Sequence, residues 1–223
     1  MPSRQGLFHA HAHTASYLLL QSSMLHYMYK QFRIRTGEKK MMRLEEKTLK
    51  SQQIFSGRVI SLQVDEVELP NGKTSNREIV KHPGAVAILP ITDDNKIVMV
   101  EQYRKPLERV LVEIPAGKLE KGEEPQQTAV RELEEETGYM TNSLEWLISF
   151  YTSPGFADEI VHLYVARGLS KKMDAASLDE DEFVNLVEVT LEEAIQLVKE
   201  KKVYDAKTAY AIQYLQLQEA LKK

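Results

Sequence analysis

Three glutamates at helical spacing are the residues of this sequence best suited to chemistry. Seven glutamates lie between residues 117 and 139. At about 100° of rotation per residue, Glu132, Glu135 and Glu136 fall on one arc of a helix. Like charges at these spacings destabilise an isolated helix by about 0.2–0.5 kcal/mol per pair, so a compensating group is expected. One such group is Mg²⁺, which is commonly held by a few carboxylates together with substrate phosphates. The alternative is a solvated acidic face, the commoner explanation for a glutamate-rich helix.

The helix that carries these glutamates has clear boundaries in the sequence. Pro125 suits the first helical position and Gly138 suits the C-terminal end, so we predict a helix over residues 126–137. Gly117 and Gly122 allow the preceding loop to turn tightly. An adjoining arc of the helix should face a sheet, and it carries Ala129, Val130, Leu133 and Thr137.

Alternating apolar residues predict strands on both sides of this helix. One predicted hairpin surrounds Asn71-Gly72, and a second pairs residues 85–89 with 97–101 around a polar turn. Further strands are predicted at residues 109–114, 144–151, 160–166 and 183–189, and further helices at 191–200, behind a Thr190/Glu193 capping box, and at 206–221, capped by Asp205. The pattern predicts a mixed α and β protein.

The stretch from Gly117 to Tyr139 resembles the Nudix signature, GX5EX7REUXEEXGU, in which U is a bulky apolar residue. Every fixed position matches, and Tyr139 is aromatic at the last position. The resemblance implies an α/β (α+β) fold, with a mixed β-sheet sandwiched between α-helices and an N-terminal antiparallel strand region. It also implies that Arg131 pairs with Glu123. The implied metal ligands are Glu132, Glu135, Glu136 and the backbone carbonyl of Ala116.

The loop around Pro154, sixteen residues after Gly138, resembles the ADP-ribose pyrophosphatase branch of the Nudix hydrolases. The resemblance assigns Glu159 as the residue that receives or directs the proton of the attacking water, with Glu135 also catalytic. Segments between residues 52 and 166 resemble the same branch. They suggest Arg77 and Arg104 as clamps for a diphosphate and Ile60, or its neighbour Val59, as an apolar platform for adenine. Surface ion pairing for the arginines and a buried strand position for the apolar residue are the alternatives.

The implied reaction is metal-dependent hydrolysis of the diphosphate bond of ADP-ribose to AMP and ribose 5-phosphate. The implied cofactor is Mg²⁺, two or more ions, with Mn²⁺ able to substitute. Another nucleoside diphosphate sugar, such as GDP-mannose or ADP-glucose, is the alternative substrate, and a non-catalytic nucleotide-binding module is the alternative class. The branch also implies a homodimer in which residues 55–81 complete the partner's site. His82 and His162 are expected to be packed or hydrogen-bonded rather than ligands or bases.

Composition excludes several other classes. The chain has 223 residues and a net charge of −4, so it lacks the positive charge expected of a duplex-binding protein. It has no cysteine and no apolar run long enough for a membrane span, and we expect a cytoplasmic protein that binds neither nucleic acid nor membranes.

The chain divides in character near residue 40. Residues 1–40 carry six basic residues against one acid and four of the six histidines. They are read as a disordered arm, as an upstream extension before a start at Met41 or Met42, or as an organelle-targeting peptide. Residues 41–82 are expected to form a dimerising strand region and residues 83–223 the hydrolase domain.

Overall fold

A computed structural model describes residues 43–172 and 183–222 of the protein. The predicted N-terminal arm, with its histidines, lies outside the described residues. The chain divides into two compact units. Of the described residues, the first comprises residues 43–46 and 69–73, and the second comprises residues 47–68, 74–172 and 183–222. No helix in the described part of the chain combines the length and the apolar character needed to cross a bilayer.

The described residues of the second unit form ten strands and three α-helices. The strands are β1 (Lys47–Ser56), β2 (Ser61–Glu68), β3 (Thr74–Lys81), β4 (Ala85–Pro90), β5 (Ile97–Arg104), β6 (Arg109–Glu113), β7 (Ala116–Lys118), β8 (Tyr139–Tyr151), β9 (Ile160–Lys171) and β10 (Val184–Val189). The helices are α1 (Pro125–Thr137), α2 (Leu191–Lys199) and α3 (Ala206–Leu221), and a short 3₁₀ helix spans Lys105–Leu107.

The N-terminal strands form an antiparallel sheet in the order β1-β2-β3. The predicted hairpin is confirmed, since β2 and β3 pair in continuous register from Ser61 with Lys81 to Glu68 with Thr74. The sequence analysis does not predict β1, whose ten residues are all exposed. The register of its pairing with β2 shifts twice, once at residue 49 and once at residue 54. Such bulges re-aim a side chain, and here they coincide with two exposed apolar residues, Leu49 and Ile54.

The predicted second hairpin is wrong. β4 lies in the sheet β7-β4-β9-β8, where it pairs parallel with β9 and antiparallel with β7. β5 instead lies between β10 and β6 in another sheet. Only an isolated bridge between Ile91 and Ile97 joins the two segments. The physical reason is burial: five of the six residues of β4 are buried, so it needs a neighbouring strand on each side and a covered layer on each face.

Alternate residues of the central strands pack into two apolar cores. From β4, Ala87 and Leu89 join one core, whereas Val86 and Ile88 join the other. The first core includes residues of α2 and α3, and the second includes residues of α1. The strands are therefore covered by helices on both faces, as the predicted fold class requires.

All three predicted helices are confirmed. α1 begins with Pro125 behind a capping box formed by Glu124 and Gln127, and it ends at Gly138, whose φ of 67° lies in the left-handed region that glycine adopts freely. The predicted Thr190/Glu193 capping box precedes α2, and Asp205 caps α3 by accepting a hydrogen bond from the Thr208 N–H. α1 is thereby fixed at both ends above the sheet.

Candidate active site

The strand β7 and the helix α1 approach each other so closely that β7 has no room for a side chain at position 117. A Cβ on Gly117 would lie 1.8 Å from Cδ of Glu132. One residue earlier, the N–H of Ala116 donates to Oε2 of Glu136 over 2.9 Å. Glu132 and Glu136 are 8% and 6% exposed, respectively. The signature glycine thus makes room for a carboxylate, and the two glutamates lie against the backbone of β7.

Arg131 connects the loop to the acidic face of α1. Its guanidinium contacts Glu123 at 3.2 Å, Glu132 at 2.9 Å and Glu135 at 2.7 Å. Burial lowers the pKa of Arg131, but the hydrogen bonds and charges of these carboxylates outweigh burial and raise it. Conversely, the hydrogen bond from Arg131 lowers the pKa of Glu123. The predicted pairing of Arg131 with Glu123 is present, and Arg131 also neutralises part of the charge on α1.

The donor set fits a hard divalent cation. Three carboxylates, from Glu123, Glu132 and Glu135, contact one arginine, and Glu136 lies on the same helix against the Ala116 N–H, so the region keeps an excess of negative charge. All of the side-chain donors are oxygens, which Mg²⁺ prefers over nitrogen or sulfur. Among residues 43–172 and 183–222, no three acidic or histidine side chains already converge closely enough to hold a metal. Because Arg131 contacts Glu132 and Glu135, an ion bound by these carboxylates would compete with Arg131 for their oxygens.

A cleft of about 990 Å³ opens beside these glutamates. Five of the residues predicted for the site line it, namely Arg104, Ala116, Glu132, Glu135 and Glu159. A cavity of this volume is large enough for a nucleotide-sized ligand. The structure thus brings together residues from β5, β7, α1 and the loop before β9.

At the wall of the cleft, the guanidinium of Arg104 is hydrogen-bonded to a buried carboxylate. Its Nε and Nη2 donate to the two oxygens of Glu113 over 2.7 and 2.8 Å. The ammonium of Lys207 also contacts Glu113, which is 2% exposed. Burial alone would raise the pKa of Glu113, but Arg104 and Lys207 lower it to about 2. Two of the five donor N–H groups of Arg104 are therefore occupied within its own chain.

Glu113 and Lys207 also line the cleft, and the sequence analysis assigns neither of them to the site. Glu113 lies within the segment that resembles the branch, so the resemblance could have indicated it. Lys207 lies at the start of α3, and no sequence pattern links it to the signature.

Glu159 lies in the loop between β8 and β9, where two other polar side chains face it. The hydroxyl of Thr152 donates to Oε2 of Glu159. Nε2 of His82 lies 3.8 Å from Oε1 of the same carboxylate. All three residues line the cleft. Glu159 thus lines the same cleft as Glu132 and Glu135 of α1.

Two predicted substrate residues are not in this cleft. Arg77 lies on β3, where its guanidinium donates to the hydroxyl of Ser75 and the carbonyl of Asn76. Ile60 precedes β2 and is 38% exposed, while its neighbours Arg58 and Val59 line the cleft.

Comparisons with known proteins agree with this geometry. Residues 81–211 match the NUDIX domain, and residues 46–80 match the nucleoside diphosphate sugar hydrolase N-terminal domain. The chain is 75% identical over 178 residues to the methanol dehydrogenase activator of Bacillus methanolicus, covering 80% of this chain and 96% of that protein. It is 68% identical over 181 residues to the ADP-ribose pyrophosphatase of Bacillus subtilis, covering 81% of this chain and 98% of that protein. A solved structure of an ADP compounds hydrolase shares the fold with a TM-score of 0.69 at 23% identity, covering 80% of this chain and 95% of the other.

Proposed function

The chain belongs to the NUDIX domain family, and from this premise we propose that it hydrolyses the diphosphate bond of ADP-ribose to AMP and ribose 5-phosphate. The observation that carries the proposal is the 68% identity to an ADP-ribose pyrophosphatase over 98% of that protein's length. Glu132 and Glu135 of α1 and Glu159 line one cleft of suitable size, which supports a catalytic rather than a purely binding role.

Hydrolases of this family generally use divalent metal ions. We assign Glu132, Glu135, Glu136 and the carbonyl of Ala116 as the ligands of Mg²⁺, two or more ions, with Mn²⁺ able to substitute. When bound, the ions would supply charge neutralisation for the diphosphate and acidify a water molecule. The buried positions of Glu132, beside Gly117, and of Glu136, beside Ala116, support this assignment, because an ion there would compensate acids that are largely withdrawn from solvent.

In the proposed reaction, Glu159 receives the proton of the attacking water. The water oxygen forms a bond to one phosphorus atom, the bridging P–O bond breaks, and the electron pair of that bond leaves on the other phosphate. One water is consumed, and the two products are phosphate monoesters. The N–H groups of Arg104 that do not bind Glu113 donate to the diphosphate and orient it toward the α1 glutamates. A planar guanidinium suits this role because its geometry matches phosphate oxygens.

We also propose that the protein acts as a homodimer, in which the β1-β2-β3 sheet of one subunit reaches the cleft of the other. Two observations support this. All ten residues of β1 are exposed, including the apolar side chains of Leu49 and Ile54. Arg77, a predicted substrate ligand, does not line the cleft of its own chain, and in a homodimer it would serve the partner.

The substrate is tested by incubating the purified chain and Mg²⁺ with ADP-ribose, ADP-glucose and GDP-mannose and measuring the released nucleoside monophosphate by chromatography. We expect ADP-ribose to have the highest kcat/KM. A preference for GDP-mannose or ADP-glucose would replace the proposed substrate. Nucleotide binding without turnover of any of them would favour a non-catalytic module.

The metal assignment is tested with Glu132→Gln and Glu136→Gln. Each should reduce turnover by orders of magnitude without loss of the fold, because neutralising one acid relieves repulsion on α1. Glu134→Gln is the matched control on the same helix, since Glu134 pairs with Lys172 instead. If both variants retained near-normal turnover at saturating Mg²⁺, the assignment would be wrong.

A second candidate function is activation of a dehydrogenase, favoured by the 75% identity to a methanol dehydrogenase activator over 96% of its length. Adding the purified chain to the methanol dehydrogenase of Bacillus methanolicus should then raise the initial rate of methanol oxidation. Comparing the chain with its Glu159→Gln variant in this assay would tell whether activation depends on hydrolysis.

A further inference from the structure

The ring of His82 is held in one orientation between the backbone and Glu159. Its Nδ1 accepts a hydrogen bond from the N–H of Gly84 over 3.1 Å. An Nδ1 that accepts cannot carry the proton, so the proton of the neutral ring is on Nε2. That nitrogen faces Oε1 of Glu159 at 3.8 Å. The neutral ring of His82 therefore presents its Nε2–H toward the carboxylate.

The segment that carries His82 also fixes the backbone of the loop that carries Glu159. The backbone N–H of His82 donates to Oδ1 of Asp158 over 2.9 Å, and the ammonium of Lys81 contacts Oδ2 over 2.9 Å. Val80 donates its N–H to the carbonyl of Phe156 and accepts the N–H of Asp158. Three consecutive residues at the end of β3 therefore bind the loop immediately before Glu159.

The other oxygen of Glu159 is held from within the loop. The hydroxyl of Thr152 donates to Oε2, and the backbone N–H of Thr152 donates to the Glu159 carbonyl over 3.2 Å. Oε2 is therefore hydrogen-bonded by Thr152, while Oε1 faces Nε2 of His82 at 3.8 Å. Rotation of the Glu159 side chain would break the Thr152 hydrogen bond and move Oε1 away from His82.

We propose that His82 is a positioning residue that aims the Glu159 carboxylate at the attacking water. This inference rests on the proposed function, because it assumes that Glu159 accepts the proton. The 3.8 Å separation exceeds a hydrogen bond, and contacts of this kind are often long without substrate and tighten in the complex. The burial of the His82 side chain, which is 12% exposed, limits competition from water. His82 lines the cleft together with Glu159.

The kinetic test compares two amide variants of His82. His82→Asn keeps a group that can accept from Gly84 but removes the donor that faces Glu159, whereas His82→Gln restores a donor near the Nε2 position. We expect His82→Asn to lower kcat about 10- to 100-fold with KM changed less than about twofold, because a misdirected base costs rate and not ground-state binding. His82→Gln should recover most of the loss. A higher KM with unchanged kcat in His82→Asn would overturn the proposal. An equal loss of kcat in His82→Asn and His82→Gln would also overturn it.

His162→Asn is the matched control. His162 is the other histidine in the described part of the chain, and its Nδ1 contacts the hydroxyl of Ser149 over 2.7 Å, away from the cleft. We expect its kcat to equal that of the wild type. A comparable loss of kcat in His162→Asn would indicate a general effect of histidine removal and would count against positioning.

A double-mutant cycle identifies the route of the effect. In a Glu159→Gln background, His82→Asn should cause no further loss of kcat, because the carboxylate it positions is gone. A further loss as large as in the wild type would show that His82 acts independently of Glu159, and the proposal would be wrong.

Nitrogen-15 NMR of the histidine rings tests the contact without any substrate. We expect the His82 signals, assigned by their loss in His82→Asn, to show a protonated Nε2 whose shift changes in Glu159→Gln. A neutral ring protonated on Nδ1 instead of Nε2 would refute the proposal. If the NMR contact is present and the chain hydrolyses GDP-mannose instead of ADP-ribose, the proposed substrate fails, while the kcat comparison still tests His82 on that substrate.

Discussion

Gly117 shows how one missing side chain determines the geometry of the α1 glutamates. The residue lies on β7 where Cδ of Glu132 would be 1.8 Å from an added Cβ. Real Cβ atoms do not approach other atoms that closely, so any larger residue must displace either the strand or the glutamate. The glycine of the signature is therefore explained here by close approach of backbone to a carboxylate.

We expect Gly117→Ala to lower kcat by about 100-fold or more, because displacing a positioned group by an ångström costs that much. The measurement is steady-state hydrolysis of ADP-ribose at saturating Mg²⁺. Gly155→Ala is the control, since a Cβ at Gly155 meets no atom within 4 Å. Full activity in Gly117→Ala would mean that Glu132 is free to move without consequence.

Glu113 should make the stability of the protein depend on pH in the acid range. Its pKa is lowered to about 2 in the folded protein from an ordinary 4.5. The folded state thus binds the proton less tightly than the unfolded state, so the stabilisation is complete above pH 4.5 and is lost as pH falls toward 2. We expect Glu113→Gln to lower the free energy of unfolding at pH 7 by about 3 kcal/mol, a difference from the wild type that shrinks below pH 4.5.

The measurement is urea unfolding of the wild type and Glu113→Gln at several pH values between 7 and 3. Glu145→Gln, at an exposed position on β8, controls for the loss of a carboxylate as such. A difference that stayed constant down to pH 3 would contradict the role of Arg104 and Lys207 in holding Glu113 ionised.

Contacts between site residues could be predicted from the sequence where both residues lie within the signature. The pairing of Arg131 with Glu123 belongs to that set, because loop and helix are adjacent in the chain. The engagement of Arg104 could not be predicted. It depends on the pairing of β5 with β6 and on Lys207, which comes from a helix about a hundred residues further along the chain.

At the scale of elements, the loop before α1 and the helix itself are joined by the side chain of Arg131. Because Arg131 contacts acids on both, its loss would leave like charges facing one another around the buried Glu132. We expect Arg131→Met to lower the free energy of unfolding by about 3 kcal/mol, the range for removing one partner of a buried ion pair.

The same variant reports on metal binding. Added Mg²⁺ should raise the melting temperature of Arg131→Met more than that of the wild type, because the ion replaces the lost positive charge without displacing an arginine. Thermal unfolding with and without Mg²⁺ measures this, and Arg167→Met, at an exposed position on β9, is the control. Equal Mg²⁺ shifts in both proteins would argue against a cation at the α1 acids.

Elements with strong local signals could be predicted from the sequence, whereas the pairing of strands that are distant in the chain could not. Caps and apolar periodicity identify all three helices, and an Asn-Gly turn identifies the hairpin of β2 and β3. The polar turn between β4 and β5 carries a similar local signal, yet the two strands enter different sheets. The central position of β4 depends on β9, and nothing within residues 85–101 encodes a partner that distant.

At the scale of the whole molecule, the exposed strand β1 presents a surface that a second subunit could cover. Leu49 and Ile54 lie at bulges and are 49% and 52% exposed, so the strand places apolar side chains in water at an unpaired edge. Unprotected edges of this kind favour pairing with another chain. The proposed homodimer would remove both features from solvent.

We expect Ile54→Lys to shift the protein from dimer to monomer and to reduce ADP-ribose hydrolysis, because burying a lysine against a partner is costly and Arg77 would no longer reach the partner's cleft. Size-exclusion chromatography with light scattering gives the mass of each form. Gln52→Lys places the same charge on the same exposed strand and should leave the dimer intact. A wild-type protein that is active as a monomer would contradict the proposed assembly.

The parallel pairing of β4 with β9 has a consequence for biosynthesis. Ala85 pairs with Val161, so β4 emerges from the ribosome well before the strand that covers its edge. At about 5–20 residues per second, the wait is on the order of ten seconds. During that interval one edge of an almost wholly apolar strand has no partner, while β7 can pair with the other edge. A nascent chain interrupted before Ile160 would be the form of this protein most in need of a chaperone.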